Sequence, residues 1–185
     1  MKFQSNTVIT QILDALFKVY SERVPDVLKI TKEMVSKGIV SSQNDIVNDH
    51  IAFRTMGVPN LGIGSFEKIF LAHGYIRRDF YHFKQKKIDA FWYESPSSEL
   101  PRIFISELKV ETFSKKIQKL IKSYTNSVTT DPIDDLDLED PKQVINYLLN
   151  PLWKVPSIND YELLLEESEY AAWVIYNRYY LNHYT

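Results

Sequence analysis

Asp49-His50-Ile51-Ala52-Phe53-Arg54-Thr55 is rich in β-forming residues and alternates in character, as a strand with one buried face does. Ile51, Phe53 and Thr55 fall on one face, and His50, Ala52 and Arg54 on the other. Taken as two strand steps apart, His50 and Arg54 are expected roughly 7 Å from Cα to Cα at ~3.4 Å rise per residue. A neutral imidazole can ligate a metal, and an always-charged guanidinium can grip a carboxylate through two N–H bonds. A histidine alone on a strand is more often structural than a ligand. Arg54 on the same face, and the polar approach Ser41-Ser42-Gln43-Asn44-Asp45, make this strand a candidate metal-plus-acid site.

The elements around it have a distinct order. A turn-rich segment, Gly57-Val58-Pro59-Asn60-Leu61-Gly62-Ile63-Gly64, leads to Ser65, a natural N-cap for a short helix over 66–73 closed by Gly74. Strand-like runs follow at 75–83, 88–93 and 102–108, separated by Lys84-Gln85-Lys86-Lys87 and Ser95-Pro96-Ser97-Ser98-Glu99-Leu100-Pro101. The order is strand, helix, strand, strand, strand. Upstream, Val8, Ile9, Ile12, Leu13, Leu16, Phe17 and Tyr20 make a helical stripe. A second helix is predicted from Pro25 to Lys37, with Gly38 as its stop. Downstream, Phe113, Ile117, Leu120 and Ile121 form another stripe, interleaved with four lysines that read as a solvated face. Asp131 to Asp140 reads as an acidic linker. It lacks the glycine and terminal glutamate of a calcium loop. Helices are predicted over 141–149 and 160–168.

Composition narrows the chemistry. The 185 residues carry a net charge of −2, with 44% hydrophobic and 25% charged residues, ordinary for a large globular domain. That charge implies no general attraction to nucleic acid or to an anionic membrane. Without cysteine there is no disulfide or thiolate chemistry, so a metal would take His, Asp, Glu or backbone oxygen. No apolar run approaches the ~20 residues of a membrane span, and no signal-peptide core is evident, so a cytoplasmic location is expected. The 12 Tyr, 10 Phe and 3 Trp are expected to fill a core and line a curved sheet.

The glycines at 57–64 match neither a P-loop nor a dinucleotide fingerprint, and no Gly-x-Ser-x-Gly elbow occurs. His73 sits at a predicted helix end, and His82 reads as packed or hydrogen-bonded. Glu107 lies in an otherwise apolar strand on the face of Ile103 and Ile105. An inward carboxylate needs a partner: a metal, an arginine such as Arg54 or Arg102, or another hydrogen-bond donor.

The strand-helix-strand-strand-strand order, with a ligand-type residue on its first strand and a carboxylate on its last, resembles one module of the glyoxalase-like vicinal oxygen chelate superfamily. More specifically, four segments resemble the 2-oxoadipate dioxygenase/decarboxylase (hydroxyglutarate synthase) family. They are the His50 strand, Pro101-Arg102-Ile103-Phe104-Ile105-Ser106-Glu107-Leu108, Ala171-Ala172-Trp173-Val174 and Asn182-His183-Tyr184-Thr185. The likeness covers about 50–185. It implies a single α+β domain: a βαβββ module with a curved mixed sheet over 46–110, flanked by an N-terminal helical pair (1–45) and a helical region (111–185). That region is expected to lead into the first strand of an incomplete second module.

The same resemblance implies Fe(II), or another divalent metal, held by His50 and His183, with Arg54 gripping a substrate carboxylate. The family's third ligand is a glutamate late in the second module. It has no counterpart expected before Thr185, which leaves Glu107 as the candidate within this chain. The implied activity is an Fe(II)-dependent dioxygenase/decarboxylase that takes a 2-oxoadipate-like 2-oxo acid and dioxygen to a 2-hydroxy acid and CO2. Alternatives are a non-catalytic metal-binding or assembly module, or a metal-dependent isomerase or lyase on the same scaffold. A single module leaves sheet face and edges open, so a homodimer is expected under each reading.

Overall fold

The computed structural model describes residue 3, residues 5–150 and residues 152–184. Thr185, the last residue of the C-terminal motif, lies outside the described residues. Five strands form one mixed sheet: β1 (His50–Met56), β2 (Ile76–Phe83), β3 (Ile88–Glu94), β4 (Arg102–Leu108) and β5 (His183–Tyr184). Their order across the sheet is β2-β3-β4-β1-β5. β1 runs parallel to β4 with Arg54 opposite Ser106. The crossover that a parallel pair requires is supplied in part by helix α3 (Ile63–Ala72). β2, β3 and β4 follow as antiparallel neighbours. β5 pairs antiparallel with the outer edge of β1, placing His183 opposite Ala52.

Alternation along β1 separates the two faces as the sequence implies. Ile51 and Phe53 are fully buried, and Phe53 packs against Phe66 and Phe70 of α3. His50 and Arg54, on the opposite face, are only partly buried. The separation expected between them is too short: the four residues from His50 to Arg54 span about 14 Å at ~3.4 Å per residue.

Helix α1 (Val8–Arg23) starts at Thr7, whose side chain accepts the Thr10 N–H, and buries Ile9, Ile12, Leu13, Leu16 and Phe17. It packs on α5 (Pro141–Leu149). Helix α2 (Pro25–Ser36) opens on a first-turn proline and buries no residue, so the N-terminal pair is unequal. Helix α4 (Lys115–Thr125) buries Ile117 and Ile121, and its four lysines are all exposed. The helix predicted over 160–168 is α6 (Ile158–Glu167). A further helix, α7 (Glu169–Asn177), follows at once, started by the Ser168 side chain accepting the Ala171 N–H.

One local expectation fails. Ser65 does not cap α3, which begins a turn earlier, with Gly62 at its N-cap position and no cap from its own loop. Ser65 instead donates to Asp131 at 2.7 Å, and Lys68 pairs with both Asp131 and Asp134. The acidic linker is thus tied to α3. Among the described residues, no helix is long and apolar enough to cross a membrane.

Candidate active site

The pairing of β5 with β1 brings two histidines together. The His50 and His183 ring centroids lie 5.5 Å apart with their planes at 84°. His50 Nδ1 is 3.0 Å from Asp49 Oδ2, and Arg102 donates to Asp49 Oδ1 at 2.8 Å. The hydrogen bond with His50 comes first, ahead of the Arg102 charge, in holding the Asp49 carboxyl below its usual range. With Nδ1–H directed at a carboxylate, His50 carries its lone pair on Nε2, the tautomer a metal requires there.

His183 Nδ1 sits 2.7 Å from the Asn182 side-chain amide. The amide atom at that distance is Nδ2, so the amide N–H donates to the ring nitrogen. Burial lowers the His183 pKa, and the neighbouring His50 and Arg54 charges lower it further. Its neutral form, the one that binds metals, is favoured.

Arg54 projects from the same face of β1. Its Cζ lies 5.0 Å from the Tyr170 ring centroid and 4.9 Å from that of Trp173, both on α7. It lines a cavity of about 460 Å³ with His183, Asn182, Phe83, Phe104 and Tyr170. A second cavity of about 490 Å³ flanks His50, with Tyr81, Trp92 and Arg102 in its wall. Phe104 borders both cavities.

Glu107 is not part of this cluster. It pairs in register with Thr55, one residue out of phase with Arg54, and so faces the helix side of the sheet. There its Oε2 accepts the Ile63 N–H at 2.7 Å. The partner its burial required is a helix N-terminus, not a metal or an arginine. Among the described residues, no three His, Asp or Glu side chains are grouped to hold a metal ion. His50 and His183 fit two ligands of a divalent metal: their rings lie side by side, His50 with Nδ1 held by a carboxylate and His183 with its neutral form favoured by burial.

The other histidines have structural settings. His73 ends α3, and His82 Nδ1 meets Asp89 at 2.6 Å. Sequence reading missed the roles of Asp49, Asn182, Tyr170 and Trp173. Asp49 and Asn182 each directly precede a candidate ligand, a local signal that could have been used. The contact of two α7 rings with Arg54 has no local signature.

The sequence profile of the 2-oxoadipate dioxygenase/decarboxylase family matches residues 12–185. The chain belongs to this family. It is 32% identical to the chloroplastic 2-oxoadipate dioxygenase/decarboxylase of Arabidopsis thaliana over 197 aligned residues, covering all of this chain and 50% of that relative. The hydroxyglutarate synthase of Oryza sativa, solved in complex with 2-oxoadipate, superposes with a TM-score of 0.80 at 32% identity, covering 94% of this chain and 55% of that one. A glyoxalase superfamily protein from Ralstonia eutropha shares the fold, with a TM-score of 0.72 at 23% identity over 94% of this chain and 60% of its own. The chain thus spans about half the length of the relatives it matches, and that half holds the α+β glyoxalase-like module with its added strand β5.

Proposed function

We propose that this chain contributes His50, His183 and Arg54 to the site of a metal-dependent dioxygenase/decarboxylase acting on 2-oxoadipate or a similar 2-oxo diacid. The observation that carries the reading is the convergence of His50 and His183 from neighbouring strands, with Arg54 on the same sheet face. Membership of the family, and a relative solved with 2-oxoadipate, support the substrate class. A bound Fe(II), or another divalent metal, would supply the activation of dioxygen and the polarisation of the 2-oxo group.

The chain's own residues then have distinct tasks. Asp49 fixes the His50 imidazole as an Nε2 ligand, and the Asn182 amide orients the His183 ring. Arg54 lies one alternation beyond Ala52, the residue opposite His183. A diacid leading away from the histidine pair therefore meets the guanidinium, which orients it through a charge-assisted fork. Phe83 and Phe104 give the cavity apolar wall beside Arg54 and His183. The product would be a 2-hydroxy acid with release of CO2.

A second reading, a homodimeric metal-binding assembly module, is favoured by the outer strand β2. All eight of its residues are exposed, Phe80, Tyr81 and Phe83 among them, so its edge is open to pairing.

Anaerobic loading with Fe(II), followed by metal analysis, tests the site directly. Stoichiometric binding is expected, and both His50→Ala and His183→Ala should abolish it; binding that survives either change would overturn the ligand assignment. Oxygen uptake on adding 2-oxoadipate then separates the two readings. Uptake supports the enzyme, whereas its absence in a metal-loaded dimer supports the assembly module.

A further inference from the structure

Arg54 is held differently from the other arginines of the sheet. Arg77 pairs with Glu67, Arg78 with Glu94 and Arg102 with Asp49, so each of those charges is neutralised by a carboxylate. Among the described residues, Arg54 has no ion pair. Its contacts are the rings of Tyr170 and Trp173. An aromatic face attracts a guanidinium through its quadrupole while leaving the N–H donors unspent. A carboxylate in the same place would occupy those donors and compete with an incoming anion.

The holder is itself fixed. Tyr170 and Trp173 stand three residues apart on α7, hence on one side of the helix. The Tyr170 hydroxyl accepts the Thr55 N–H at 3.2 Å and reaches the Ser106 carbonyl at 2.9 Å, tying the ring to both β1 and β4. The strand that carries Arg54 therefore also anchors the ring beneath it.

We infer that Tyr170 and Trp173 are positioning residues that hold Arg54 oriented and unneutralised, and so set the site's preference for a diacid over a monoacid of equal chain length. This rests on the proposed function for the choice of ligand, but the geometry of Arg54 can be read without any ligand.

The test uses the 185-residue chain with Trp173→Leu and Trp173→Phe. Binding of 2-oxoadipate and of 2-oxohexanoate, which lacks the distal carboxylate, is titrated against each Fe(II)-loaded protein under anaerobic conditions. In parallel, the Arg54 side-chain Nε–H resonance is followed by NMR without ligand. Trp173→Leu should shift that resonance toward its solvent-exposed position and cut the preference for 2-oxoadipate about tenfold, with 2-oxohexanoate little changed. Trp173→Phe should keep the preference within about threefold, since a benzene ring is the weaker partner.

An equal loss for both acids would mean a merely structural role and overturn the inference, as would an unchanged Arg54 resonance in Trp173→Leu. Should Trp173→Leu not fold, Trp173→Phe decides: an unmoved resonance overturns the inference, and a partial shift supports it. Failure of the wild type to bind either acid removes the proposed substrate, and the Arg54 resonance then decides the positioning role alone.

Discussion

Glu107 Oε2 accepts the backbone N–H of Ile63 at 2.7 Å, so a carboxylate on β4 caps the helix that follows β1. The four leading N–H groups of a helix lack partners within it, and the Glu107 oxygen supplies one for Ile63. Glu107→Ala should therefore cost about 1–2 kcal/mol of stability. Urea denaturation measures it, and a midpoint equal to wild type would show that the cap contributes nothing.

The same carboxylate predicts a pH dependence. Burial raises the Glu107 pKa, with the Ile63 N–H opposing the rise. The folded protein thus keeps this proton to higher pH than the unfolded chain does. The group's contribution is full below the ordinary carboxylate range and is lost as pH rises through the raised folded value. Above the ordinary carboxylate range, Glu107→Gln should flatten that decline, as followed by denaturation at each pH. A variant profile parallel to wild type would contradict the assignment.

Gly62 makes room for this carboxylate. A Cβ built at Gly62 collides with Glu107 Oε2. Gly62→Ala should destabilise by about 2–3 kcal/mol, and in the Glu107→Ala background by clearly less, giving a coupling energy above ~0.5 kcal/mol. A thermal-melt double-mutant cycle with additive effects would disprove the contact.

Asp49 should matter to metal retention without being a ligand. Because it holds His50 Nδ1, Asp49→Asn is expected to weaken Fe(II) binding about 10- to 100-fold. Competition with a chelator of known affinity reads this; equal affinity would remove Asp49 from the site.

Arg54→Lys keeps the charge but loses the planar fork. Binding of 2-oxoadipate should weaken about 10- to 100-fold, the loss of one charge-assisted hydrogen bond. Calorimetric titration of the metal-loaded protein is the measurement. Affinity within twofold of wild type would mean that charge alone suffices.

How much was legible follows from the range of each signal. The alternation of His50 to Thr55, the turn residues and the helical stripes act over a few residues, and they led to the element order that the sheet displays. Ser65 shows the limit of that reasoning. It is a sound local cap, yet α3 starts earlier because its cap comes from Glu107. For Glu107 itself, the need for a partner was readable from its apolar strand. Which partner it meets depended on the parallel β1–β4 register.

By itself, the sequence determined which side chains share a face of β1 and what chemistry each can perform, because strand alternation and functional-group properties are local. Family motifs within it also pointed to His183. Only the tertiary structure decided that His50 and His183 meet, that Glu107 turns to the helix side and that two α7 rings hold Arg54. Strand pairing and helix docking bring together residues far apart in the chain, and no spacing along the sequence encodes those distances.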